Sequence, residues 1–239
     1  MSHIPKLLHA LGRLLSYPDE STVQTAELLF VVLKGELDEA AQDAARFGAY
    51  AERHDLAELE EAFTRTFDVN PMSALEVGWH LFGEEYARGM FLVRMREELR
   101  KYAIPESVEL PDHLSHVLSI VSAMPDEEAK RFVRACVQPA VEKMKQALAE
   151  KETPYRNVID CLSTILKHVW GEPSSTNAEV GSGNRPFASD PLHAFPVADV
   201  TCGCGSSCSS SDRPDLLQID LPLETLPVLS TSSIPARMP

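Results

Sequence analysis

Three cysteines stand within seven residues in the C-terminal part of the chain, Cys202-Gly203-Cys204-Gly205-Ser206-Ser207-Cys208. Thiolates at that spacing, on a backbone loosened by glycine and serine, have the chemistry to wrap a soft metal or an iron-sulfur precursor, or to form a reversible disulfide. A tetrahedral zinc site wants a fourth ligand, and only the more distant His193 offers itself. A second spot is Pro111-Asp112-His113, a carboxylate and an imidazole behind a proline at a predicted helix start. There Asp112 suits an N-cap that accepts backbone N–H groups, with His113 in the first turn, and the same pair suits a partner contact. His80, Glu84, Glu85 and Arg88 lie three and four residues apart, the spacing of one helix face, although Gly83 interrupts it. Arg88 suits a polar groove contact or a bond supporting Asp68. Phe67 reads as core, and Asp68 as a capping or pairing residue.

Nucleophilic catalysis has no support in the sequence. It holds no glycine-flanked nucleophile elbow, phosphate loop, His-Glu-x-x-His pair or dinucleotide fingerprint. The reading is a binding protein, not an enzyme. A formal charge of -14, with bases scattered among acids, disfavours nucleic acid and anionic lipid as partners. No apolar run approaches the ~20 residues that span a bilayer, and the N-terminus lacks a basic region leading into an apolar stretch. A cytoplasmic protein is expected.

The elements that must position these residues are helices. With 44% hydrophobic residues in a 239-residue chain, one core of good size can form without disulfides or metal. Up to about Gly171 almost every segment repeats apolar residues at the helical period, and none alternates as a strand would. Leu7, Leu8, Leu11, Leu14 and Leu15 give the first helix one apolar face. The second, Ser21 to Lys34, is apolar nearly all round and therefore expected to be central. An acidic third helix reads as a solvated face. Pro139 predicts a kink or a boundary, and Tyr155 to Trp170 is the most regular helix of all. Trp79, Phe82, Phe91 and Met95 suit either the core or an apolar peptide groove. The expectation is an all-α, compact single-domain bundle of about eight helices over residues 1–171. A disordered tail rich in serine, proline and glycine is expected over 172–239, with apolar islands at Leu216-Leu217-Gln218-Ile219 and Leu226-Pro227-Val228-Leu229.

The order Thr66-Phe67-Asp68, Ser73-Ala74-Leu75, His80-Leu81-Phe82-Gly83-Glu84, Arg88-Gly89-Met90, followed by Glu109-Leu110-Pro111-Asp112-His113-Leu114, resembles the NarJ-type chaperones of the TorD/DmsD superfamily. The opening Leu-rich helix ending in Tyr17-Pro18-Asp19 fits as well, so the resemblance covers roughly residues 3 to 170. Glu84 stands where many relatives have Asp, and Pro71-Met72 replace a basic run. The resemblance implies an assembly chaperone for the catalytic subunit of a nitrate-reductase-like molybdoenzyme. It would bind that subunit's N-terminal segment while cofactor is inserted and membrane docking is delayed. It further implies a client carrying molybdenum bis(guanine dinucleotide) and iron-sulfur clusters, and a chaperone with no cofactor of its own, monomeric or weakly self-associating. Partner-binding residues expected on that basis are Phe67, Asp68, His80, Arg88, Glu109, Asp112 and His113. The cysteine tail is a separate expectation, metal or cluster delivery through Cys202, Cys204 and Cys208. A structural adaptor of a respiratory complex is the remaining alternative.

Overall fold

The computed structural model describes residues 3–173, and these fold as an all-helical bundle. Helix α1 (Ile4–Leu14) carries Pro5 in its first turn, where a missing N–H costs nothing. Its leucine face is buried, and Gly12 lets it lie close to Ser115 on a later helix. Helices α2 (Thr22–Leu33) and α3 (Asp38–Ala51) pair through small residues, with Gly48 against Ala26. Helix α4 (Leu56–Phe63) opens on a capping box, in which Asp55 accepts from the Glu58 N–H and Glu58 accepts from the Asp55 N–H. It runs directly into a π turn, Thr64–Asp68.

After a 3-10 turn at Pro71–Ser73 come the short α5 (Val77–Phe82), α6 (Tyr86–Lys101) and α7 (Leu114–Ala123). Helices α8 (Asp126–Phe132) and α9 (Gln138–Leu148) form one rod, joined by a π turn at Val133–Val137. Pro139 has no N–H to give the Ala135 carbonyl, and the helix widens just before it. The described part closes with α10 (Tyr155–Trp170).

The core centres on Tyr155, fully buried and ringed by Phe47, Phe63 and Phe67 at 5.1, 5.4 and 5.3 Å between ring centroids. Burial pushes its phenol strongly up, so it stays protonated. α10 thereby holds α3 and α4 together.

The described residues form ten α-helical segments, two of them fused end to end, in the compact all-α bundle that was expected. Two expectations need correction. Helix α2 is not central: Leu28 and Val31 are exposed, because α1 and α3 cover only its Thr22, Ala26, Leu29 and Leu33 side. Nor is the acidic face of α3 fully solvated. Asp43 is buried against Arg46 at 2.6 Å, and desolvation raises its pKa despite that partner.

Candidate functional site

Helix α5 has only six residues, too short to be stable without tertiary support. Its support comes from 34 residues downstream. The Val77 N–H donates to the Asp112 carbonyl (3.0 Å), and the Leu114 N–H donates to the Leu75 carbonyl (2.9 Å), so Glu76 and His113 pair as an antiparallel bridge. The Asp112 carboxylate then accepts the Gly78 N–H at 2.9 Å through Oδ2. Asp112 is thus a cap, but of α5 and not of the helix that follows it.

That helix, α7, is capped by His113, whose Nδ1 accepts from the Ser115 N–H at 3.3 Å and lies 2.8 Å from the Ser115 hydroxyl. Gly78 is needed here, since a Cβ would sit 2.7 Å from Asp112 Oδ2 and 2.9 Å from Phe91.

Burial decides the charges. Asp112 is fully inaccessible, and desolvation raises its pKa to about 6 against the lowering effects of the Gly78 bond and the Arg88 charge. Desolvation, with help from neighbouring His116, pushes His113 down to about 4. His80 is also held below its ordinary value by burial, while its Nε2 donates to the Ala74 carbonyl at 2.7 Å. Lys143 reaches over from α9 to the His80 carbonyl at the end of α5. His116 ties down the loop before Asp112: it accepts the Ser107 N–H on Nε2 (3.3 Å) and so donates from Nδ1 to the Leu110 carbonyl (2.9 Å).

Around this buried centre runs an acidic rim. Desolvation and the carboxylates of Glu76 and Asp68 raise the pKa of exposed Glu109, which places both acids within electrostatic reach of Glu109. Exposed apolar side chains stand on the same two loops, Val69 and Met72 on one, Val108 and Leu110 on the other. Trp79, half-buried, donates from its indole N–H to the Pro71 carbonyl at 2.7 Å, and the Arg88 guanidinium lies over its ring at 5.4 Å.

Six of the seven expected partner residues therefore fall in one neighbourhood: His80, Arg88, Asp112 and His113 at the centre, Asp68 and Glu109 at the rim. Phe67 belongs instead to the core around Tyr155. Arg88 does not bond Asp68; its Nε is buried without a partner, as is Oδ1 of Asp112. Phe82, Phe91 and Met95 are core, leaving Trp79 alone of that group at the surface. Gly78, Glu76 and His116 were missed by sequence reasoning. A glycine inside a short apolar helix, and a second histidine one turn after His113, were the available signals.

No described group of three or more His, Cys, Asp or Glu is arranged to hold a metal. Cys202, Cys204, Cys208 and His193 lie outside the described residues. Cys136 and Cys161 are both buried, and burial pushes the Cys161 thiol up. No described helix is long and apolar enough to cross a membrane.

Residues 34–159 match the sequence profile of the nitrate reductase delta subunit family. The chain belongs to that family. The match takes in both loops of the site and the helices that carry them. NarJ of Escherichia coli K12, named as a nitrate reductase molybdenum cofactor assembly chaperone, is 24% identical over 155 residues, 63% of this chain. That alignment spans 65% of NarJ's own length. NarW of the same organism, a probable chaperone of the same description, is 25% identical over 190 residues, covering 79% of this chain and 80% of NarW. Both are named as assembly factors and not as catalysts. The fold is shared with a putative redox enzyme maturation protein from Archaeoglobus fulgidus, at a TM-score of 0.50 and 21% identity, covering 70% of this chain and 96% of that one.

Proposed function

We propose that this family member is a cytoplasmic assembly chaperone for the catalytic subunit of a nitrate-reductase-like molybdoenzyme. It holds the N-terminal segment of the immature subunit while the molybdenum cofactor is inserted and before the subunit docks at the membrane. The names of its relatives support the client class. The observation that carries the binding face is the bridge between Glu76 and His113, which joins two loops bearing exposed apolar side chains and the carboxylates of Asp68, Glu76 and Glu109. Such a face suits a short basic amphipathic segment, with apolar anchors on Val69, Met72 and Leu110 and its cations among the acids. Recognition needs no bound cofactor of the chaperone's own, and one copy of the chain presents the whole face.

Isothermal calorimetry with the N-terminal peptide of the molybdoenzyme subunit encoded beside this chain tests the reading. Saturable binding that weakens with salt is expected, and no heat at high micromolar peptide would count decisively against it. The thiols of Cys202, Cys204 and Cys208 support a second, separable role in delivering a soft metal. Replacing all three by serine should abolish metal uptake by the full chain and leave peptide binding intact.

A further inference from the structure

Arg88 lies between the two loops of the site and is bonded to neither. Its guanidinium rests over the Trp79 ring at 5.4 Å, and Trp79 is tied in turn to the Pro71 carbonyl, beside exposed Met72. From the other loop Asp112 feels its charge. Yet Arg88 makes no ion pair and no side-chain hydrogen bond among the described residues, and its Nε is buried without a partner. Asp112 does not supply the missing bond, since its Oδ2 accepts the Gly78 N–H and its Oδ1 is itself buried and unbonded. Glu84 and Glu85 precede Arg88 by four and three residues, the spacing of helical ion pairs, and neither pairs with it. Further along α6, Arg94 and Arg96 do hold carboxylates, Glu97 at 3.1 Å and Glu106 at 2.9 Å. Arg100 is unpaired as well, but it is exposed and water serves it, whereas Arg88 is partly buried.

Taking a guanidinium part-way out of water without bonds in return costs free energy that an incoming acceptor can recover. An arginine already stacked on an indole is also pre-organised, so little side-chain freedom is lost when a planar acceptor meets it side-on. We propose, building on the client reading above, that Arg88 receives a carboxylate of the client segment, an aspartate or glutamate side chain, while the segment's cations meet Asp68, Glu76 and Glu109. A segment made only of cations and apolar residues would leave Arg88 unpaired and be repelled by it. Arg88 thus sets a sequence requirement, one acid inside a basic segment, and discriminates against segments that lack it. A singly charged carboxylate suits the place better than a phosphate, because Asp112, Glu84 and Glu85 already make the surroundings negative.

The sign of the effect makes the test sharp. The full chain is titrated calorimetrically with the N-terminal peptide of the molybdoenzyme subunit encoded beside it, amidated at its C-terminus, and with versions in which each aspartate or glutamate in turn becomes the matching amide. By net charge alone every such replacement makes the peptide more basic and should tighten its binding to a chain of charge -14. Pairing with Arg88 predicts that one replacement instead weakens binding about tenfold. Arg88→Gln, which by net charge alone should also tighten binding, should weaken the parent peptide by a similar factor, and the two changes together should weaken it no further than either does singly. The peptide-side half leaves the chaperone untouched, so it stands even where Arg88→Gln fails to fold. Acid replacements that are all silent or tightening would overturn the proposal, as would a peptide that binds without any acid, or losses from the two sides that simply add. In each of those outcomes the parent peptide still binds and the client reading survives; a parent peptide that does not bind removes both.

Discussion

Asp112 and His113 are neighbours in sequence, and burial acts on them in opposite senses. An unfolded aspartate titrates near 3.8, so a folded value of about 6 means that Asp112 favours the fold below pH 3.8 and loses that contribution as pH rises through 6. An unfolded histidine titrates near 6.5, so a folded value of about 4 means that His113 favours the fold above 6.5 and loses its contribution as pH falls through 4. Each effect amounts to about 3 kcal/mol, and between pH 4 and 6 they largely cancel. Single variants uncover them. Measured as a difference from the parent in denaturant midpoints, Asp112→Asn should gain stability on going from pH 4 to 6, and His113→Asn on going from 6.5 to 4. Asparagine is chosen at both sites because its side-chain oxygen still accepts a backbone N–H. Differences that stay flat across the range would show that neither group pays for its burial. Glycines at the same site divide by space. Gly78→Ala meets Asp112 and Phe91 below 3.0 Å and should cost about 1–3 kcal/mol. Gly89→Ala, in α6 with nothing within 4 Å, should gain about 0.5–1 kcal/mol in the same denaturant titrations.

Helices whose partners are local were legible in the sequence. The leucine face of α1 and the stripe of α10 follow from period alone, and the Asp55 to Glu58 box marks the start of α4. Apolar content misled for α2, because a helix rich in valine and leucine is central only if neighbours exist on every side, and α2 has them on one. The candidate site was legible residue by residue but not as an arrangement. Pairing of Glu76 with His113 uses backbone groups of two loops, and backbone groups leave no mark on side-chain pattern. For the same reason Asp112 reads as a cap on the nearest helix, α7, when its carboxylate caps α5. Phe67 was read as core from its spacing with Phe63 and as a partner residue from resemblance, and its place against Tyr155 decides for packing. Phe67→Ala should therefore cost about 3–5 kcal/mol of stability in thermal melts. Any loss of client binding in that variant should track the unfolded fraction and vanish when the folded fraction is compared.

Charge is the property that belongs to the whole molecule. A net -14 gives the chain a long-range attraction for any basic segment, whereas the rim of Asp68, Glu76 and Glu109 provides a local one. The two can be separated because neutralisation at different places removes the same net charge. Asp68→Asn with Glu109→Gln removes two charges at the rim. Glu36→Gln with Glu39→Gln removes two from exposed positions at the α2–α3 turn and the start of α3. If the client segment sits on the rim, the first pair should weaken peptide binding about tenfold, with a shallower dependence on salt, and the second should change it little. If net charge alone draws the client, both pairs should reduce the association rate alike and leave dissociation unaltered, because steering acts on the encounter and contact acts on the bound state. Stopped-flow association at two ionic strengths tells these apart. Asp68 and Glu109 are exposed and hold no hydrogen bond that supports the bridge, so their replacement leaves the fold as it is and confines the effect to recognition.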